Sequence, residues 1–178
     1  GHNHSYQGTL RGLLLYGVFT GQREYIDIVE KTYDVAIPKI VKQSGYTCHN
    51  LGQETGGEVS SVADAMILAL WLGVQGGYPQ RLDDAARLLR CRMIPSQILE
   101  SPALTAKIQD GSVHTSTASD GRIIVADCPD NMRQLTIGAL GGVFAQPHAG
   151  KWSVTDVTAA ALAGLIEMYN HIAVHSDE

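Results

Sequence analysis

Residues 58–74 read EVSSVADAMILALWLGV, and after Glu58 the only charge in the stretch is Asp64. An apolar run alone does not separate strand from helix, but strands end after roughly 4–8 residues and this one is longer. Gly56-Gly57 precede it and Gly76-Gly77 follow it, so the pattern is bounded by chain breakers at both ends. A helix is therefore expected over Glu58–Val74. It is apolar nearly all round beyond Asp64, and a helix without a polar face must be covered on more than one side. This segment is read as an inner helix.

On its N-terminal side, Leu10, Leu13, Leu14 and Val18 fall at helical spacing, and Thr20-Gly21 supplies a stop, which predicts a helix over Ser5–Phe19. From Arg23, an apolar stripe of Tyr25, Ile28, Val29, Thr32, Tyr33 and Ala36 opposes Asp27, Glu30, Lys31 and Asp34. A second helix follows, with Pro38 expected to kink or end it. The glycine-rich loop GYTCHNLGQETGG, residues 45–57, leads into the inner helix. Beyond GGYP at 76–79, Leu82, Ala85, Ala86, Leu89 and Met93 define a fourth, amphipathic helix with its arginines outward. VHTS and RIIVAD, flanking Ala118 to Gly121, predict a small β-hairpin near 112–126. A fifth helix is expected over Met132–Phe144. A sixth, over Val154–Val174, would turn Val157, Ala161, Leu165, Met168 and Ile172 to one face. The expected fold is all-α: a single domain over 1–178 made of three antiparallel helix hairpins. No fixed-period repeat marks a solenoid.

Composition fits helix-on-helix layers, with 44% hydrophobic residues, 6% aromatic and 17% charged. The net charge of −5 is mild, and Lys and Arg are scattered rather than gathered into a stripe that could track phosphates, so no nucleic-acid partner is expected. The longest apolar run, Ala65–Val74, is about half of the ~20 residues a bilayer span needs, so no membrane partner is expected either. Cys48, Cys91 and Cys128 are an odd set without CxxC spacing and imply neither a disulfide framework nor a zinc knuckle. The opening GHNHSY carries no initiator Met, basic n-region or signal h-region, as a processed or excised end would.

GHNHSYQGTLRGLLLYGVFTGQREYIDIVEKTYD, residues 1–34, resembles a helical hairpin of the bacterial six-hairpin glycosidases. EVSSVADAMILALWL with YPQRLDDAARLLRCRMIPSQI resembles the next one. Both stretches most resemble glycoside hydrolase family 127, the β-L-arabinofuranosidase clan, and its uncharacterised relatives. The likeness covers Gly1–Ile98 and returns at Asp156–His175. It implies part of an (α/α)6 toroid, activity on glycosidic bonds and a carbohydrate ligand. Twelve helices make such a toroid and six are read here, so either the remainder of the toroid or a second copy is expected to complete the core. In that family a Glu-Thr-Cys motif and a Cys-Cys pair hold zinc and a nucleophilic thiolate. Here those positions read Glu58-Val59-Ser60 and Asp156-Val157, so the resemblance implies no metal and no cofactor.

The acids at these positions, Glu58 and Asp156, are the candidate catalytic pair, since glycoside hydrolysis uses one carboxyl as acid and one as base or nucleophile. Each has a plainer role open to it: Glu58 as a first-turn acid, Asp156 as a helix cap beside Ser153 and Thr155. Glu54 lies four residues before Glu58, within reach of the same face if a helical turn joins them. His4, in a His-x-His that the family carries at its sugar cleft, and His148 and Trp152, in the loop after the fifth helix, are the other candidate substrate-binding residues. Asp64 needs a partner if buried and is read as a structural hydrogen-bonding group. Cys48 and His49 are adjacent, so their side chains diverge and do not form a dyad. The runner-up function is a non-catalytic carbohydrate-binding or assembly module that keeps the scaffold and has lost the catalytic cysteines.

Overall fold

The computed structural model describes residues 1–48, 50–52, 59–97, 99, 100, 102, 115–117, 123–125, 138, 140 and 155–171. For 115–117, 123–125 and 155–158 the backbone alone is described. The described residues are mostly helical. In chain order they form α1 (Asn3–Thr20), α2 (Arg23–Ile40), α3 (Val59–Val74), α4 (Arg81–Leu88), β1 (Thr115–Thr117), β2 (Ile123–Val125) and α5 (Thr155–Asn170).

α1 begins two residues earlier than its apolar spacing suggests. His2 holds an extended backbone just before it, and its carbonyl accepts the amide of Tyr6 at 3.1 Å. The helix closes on Gly21, left-handed at φ 69°, with the amide of Gln22 returning to Gly17 O at 2.9 Å. That is a Schellman closure, which favours glycine because the left-handed conformation crowds a Cβ. α2 starts two residues on and packs against α1. It buries Ile26, Val29, Tyr33, Ile37 and Ile40 along one stripe. Pro38 does not end it. The ring sits on the exposed side of the last turn, so the only helix bond it removes is the one to the Asp34 carbonyl, and α2 runs on to Ile40.

α3 is the centre. Val59 through Leu70 and Leu72 are all buried, with α1, α4 and α5 packed around the helix. Three neighbours account for its missing polar face. α4 does not carry its α geometry to Met93. It passes into a π-turn at Leu89–Met93 and a 3₁₀ turn at Ile94–Ser96. The extra residue of the π-turn leaves Cys91 exposed while Met93 is fully buried. The expected β-hairpin forms, with Thr115 opposite Val125 and Thr117 opposite Ile123.

α5 lays Ala161, Leu165 and Met168 against the core, as its spacing predicts, and Gly164 lets it come close to α3 at Ala63 and Met66. Trp71 Nε1 donates to Glu167 across the same contact at 3.1 Å. One expectation fails. Gly138 is left-handed at φ 84° and Leu140 pairs with Gln97 as a β-bridge, so no unbroken helix runs from Met132 to Phe144. Small residues made that segment look like a close-packed helix, but a left-handed glycine ends helices rather than extending them. The rest of that segment lies outside the described residues.

Gly76 gives the tightest fit in the α3–α4 turn. A Cβ there would meet the Leu72 carbonyl oxygen at 2.7 Å and its Cα at 2.9 Å, and backbone atoms cannot step aside. Gly76→Ala is expected to lower stability by about 1–3 kcal/mol. Gly8→Ala, in open space on α1, should be neutral or stabilising by up to about 1 kcal/mol. Urea midpoints of the two variants check this contrast.

Candidate functional site

The first turns of α1 present Asn3, His4, Gln7 and Arg11, with His4, Gln7 and Arg11 following one another along a single face at helical spacing. α3, packed against α1, supplies Ser60, Ser61 and Asp64. The Asp64 side chain is 0% exposed. Its Oδ2 accepts from Nδ1 of His4, and its Oδ1 accepts from Nη1 of Arg11 at 2.9 Å. A lone carboxylate inside an apolar helix needs this pairing, because an unpaired buried charge is costly. Burial still wins in the balance, holding the Asp64 carboxyl above its ordinary 3.8 although His4 and Arg11 pull it down.

His4 is the accessible member, with 39% of its side chain exposed. A bond from Nδ1 to a carboxylate places the ring proton on Nδ1 in the neutral tautomer, which leaves the Nε2 lone pair for an outside partner. Nε2 makes no hydrogen bond among the described residues. The ring meets His2 edge to face at 5.8 Å between centroids. Both side-chain amide atoms of Gln7 and the Ser61 hydroxyl are buried without hydrogen-bond partners among the described residues.

Beside this group, Asn3 Nδ2 donates to Cys48 O at 2.7 Å and to its sulfur at 3.1 Å, while the Cys48 thiol points to Ile40 O at 3.7 Å. Cys48 thus ties the incoming loop to α1 and α2. Backbone pairing of His2 with Asn50 and of Leu51 with Gly1 completes the tie.

Of the residues singled out from sequence, His4 is found on this site. Asp156 is the second residue of α5, and its side chain lies outside the description. Glu54, Glu58, His148 and Trp152 lie outside the described residues, as do His49 and Cys128. Arg11 was missed. Its signal was the lone charge of α3, which required a cation at a helical step from His4. Among the described residues no group of three His, Cys, Asp or Glu side chains is placed to hold a metal, and no helix is long and apolar enough to cross a membrane.

No protein-family model, curated protein or solved structure matches this chain. Its function is therefore read from the residues themselves.

Proposed function

We propose that this chain belongs to a carbohydrate-active α/α toroid and acts as a glycoside hydrolase, with His4 moving a proton at the sugar. The carrying observation is a half-exposed imidazole seated on a wholly buried carboxylate that Arg11 also holds. In such a dyad Asp64 fixes the ring and stabilises its protonated form. Nε2 can then take a proton from a water or sugar hydroxyl, or return one to a leaving oxygen. The substrate class in this proposal rests on the resemblance of residues 1–34 to a glycosidase hairpin alone. Glu58, next to α3 in sequence, and Asp156, on α5, remain the candidate acid and base. In a toroid the exposed Leu162, Ile166 and Tyr169 of α5 would be covered by the remaining hairpins or by a second copy.

A second reading is a carbohydrate-binding module without turnover. It is favoured by the make-up of the His4 site. Among the described residues the carboxyl group at the imidazole is the buried Asp64 alone, whereas glycoside hydrolysis uses two accessible carboxyl groups, here the candidates Glu58 and Asp156. Aryl arabinofuranosides and glucuronides separate the readings. For the hydrolase, His4→Gln keeps a donor toward Asp64 and should lower kcat/KM about a hundredfold or more with the urea midpoint little changed. Calorimetric binding of oligosaccharide without release of the aryl group selects the binding module. Neither turnover nor binding would end both readings.

A further inference from the structure

A pocket of about 340 Å³ opens between the C-terminal half of α2, the turn at 41–43 and α4. None of the residues of the His4 site lines it. Its volume lies at the low end of small-molecule sites, which run from roughly 300 to 1,000 Å³, so it has room for one ring rather than a chain.

The wall is a fixed lattice of charges. Arg81 grips Glu30 through Nε at 3.0 Å and Nη2 at 2.6 Å, also bonds Asp34, and lies 4.7 Å over the Tyr33 ring. Arg87 bonds the Gln43 carbonyl at 2.9 Å and Asp84 at 3.0 Å. The cations Lys42, Arg81 and Arg87 are matched by Asp34, Asp84 and the Glu30 held behind Arg81, so the pocket carries no net charge. Both guanidinium forks are committed, which leaves nothing shaped for a phosphate or carboxylate.

What remains open is neutral or singly directed. Lys42 Nζ has no hydrogen bond or ion pair among the described residues and is a free donor. The exposed Asp34 carboxylate has acceptor capacity left over. The Tyr33 hydroxyl is buried beside Asp84, and burial pushes its ionisation upward, so it stays protonated. Pro38, Ile37 and Val41 give an apolar patch beside these groups.

Donors and acceptors around an apolar patch, at zero net charge, suit a ligand with several hydroxyls and one apolar face. We propose that this pocket is a second carbohydrate-binding site that seats a single neutral sugar ring. Ring hydroxyls donate to Asp34 and accept from Lys42, and the ring face lies on Pro38. The proposal rests on the carbohydrate reading of the chain but not on the His4 dyad.

Amide and side-chain NMR spectra of the full chain, titrated with methyl β-D-xylopyranoside, methyl α-L-arabinofuranoside and inorganic phosphate, test it. Saturable shifts at Lys42, Gln43 and Arg87 with one of the glycosides, of millimolar affinity, are expected. Lys42→Ala and Asp34→Asn should each weaken them roughly two- to tenfold without altering the His4 resonances. No saturable shift at these residues with either glycoside, or tighter binding of phosphate, overturns the proposal. Shifts at His4 alone would then leave the proposed function standing, whereas shifts at the pocket alone would retain this site and remove the role given to His4.

Discussion

Replacing Arg11 with Met is expected to cost the folded chain about 3 kcal/mol at neutral pH, although Arg11 is itself partly exposed. The asymmetry lies in Asp64. Arg11 can return to water, but the carboxylate is fully enclosed in α3 and would keep, among the described residues, only His4 as a partner. Adding Asp64→Asn to Arg11→Met should recover most of the loss, because a neutral amide needs no counter-charge. A double-mutant cycle from urea unfolding reads the coupling directly. The pH dependence has a fixed sign. The folded carboxyl holds its proton more tightly than the unfolded one, so ionising it opposes folding. The Arg11→Met deficit should therefore be smallest at acid pH, where the folded carboxyl takes up its proton, and grow as pH rises through the raised folded value. Its slope cannot exceed about 1.4 kcal/mol per pH unit, the limit for one proton. A deficit that is flat with pH would show that Arg11 acts through packing alone.

Leu68→Ala is expected to cost about 2–5 kcal/mol, among the largest effects of any single truncation. Leu68 is fully buried near the middle of α3, where helices close in from several sides, and none can collapse into the space without leaving another. Leu162→Ala on α5 makes the comparison, since the same side chain is half exposed there and the change should stay within about 0.5 kcal/mol. Urea midpoints for the two variants decide between a core governed by α3 and one shared evenly among the helices.

The central helix was legible because burial on several sides removes the polar face, and that absence is a pattern in sequence. The stripe of α5 was legible for the converse reason, having one apolar face. That of α2 was read only in part, since Val29 and Tyr33 are buried on it but Ile28 is exposed, and Ile26 and Ile37 take its place. Glu30, expected opposite, is buried against Arg81. The β-hairpin could be read from its alternation and its SDG turn. Three features could not be read, each for its own reason. Pro38 stands in the last turn of α2, where the lost bond is cheap, and propensity does not know its distance from a helix end. The π-turn after Leu88 keeps the apolar residues of an ordinary helix and changes only their register. At Gly138 a run of small residues fits a tight helix contact as well as a left-handed stop.

The site divides in the same way. His4 could be singled out by its motif and Asp64 by its isolation among apolar residues, but nothing local joins them. They stand 60 positions apart, and only the packing of α1 on α3 makes the dyad. Arg11 carries no motif at all, and its role exists only because Asp64 faces it.

The central place of α3 also bears on how the chain moves. An outer helix can fray or lift away by breaking one set of contacts, and its amides then exchange with solvent at modest cost. α3 has no such separate exit, because α1, α4 and α5 each rest on it and its own bonds are sheltered by all three. Opening it means releasing its neighbours, so its opening energy approaches that of unfolding the packed helices together. Asp64 shares that protection. The carboxylate that orients His4 sits on the slowest element to open, while the imidazole it holds remains at the surface.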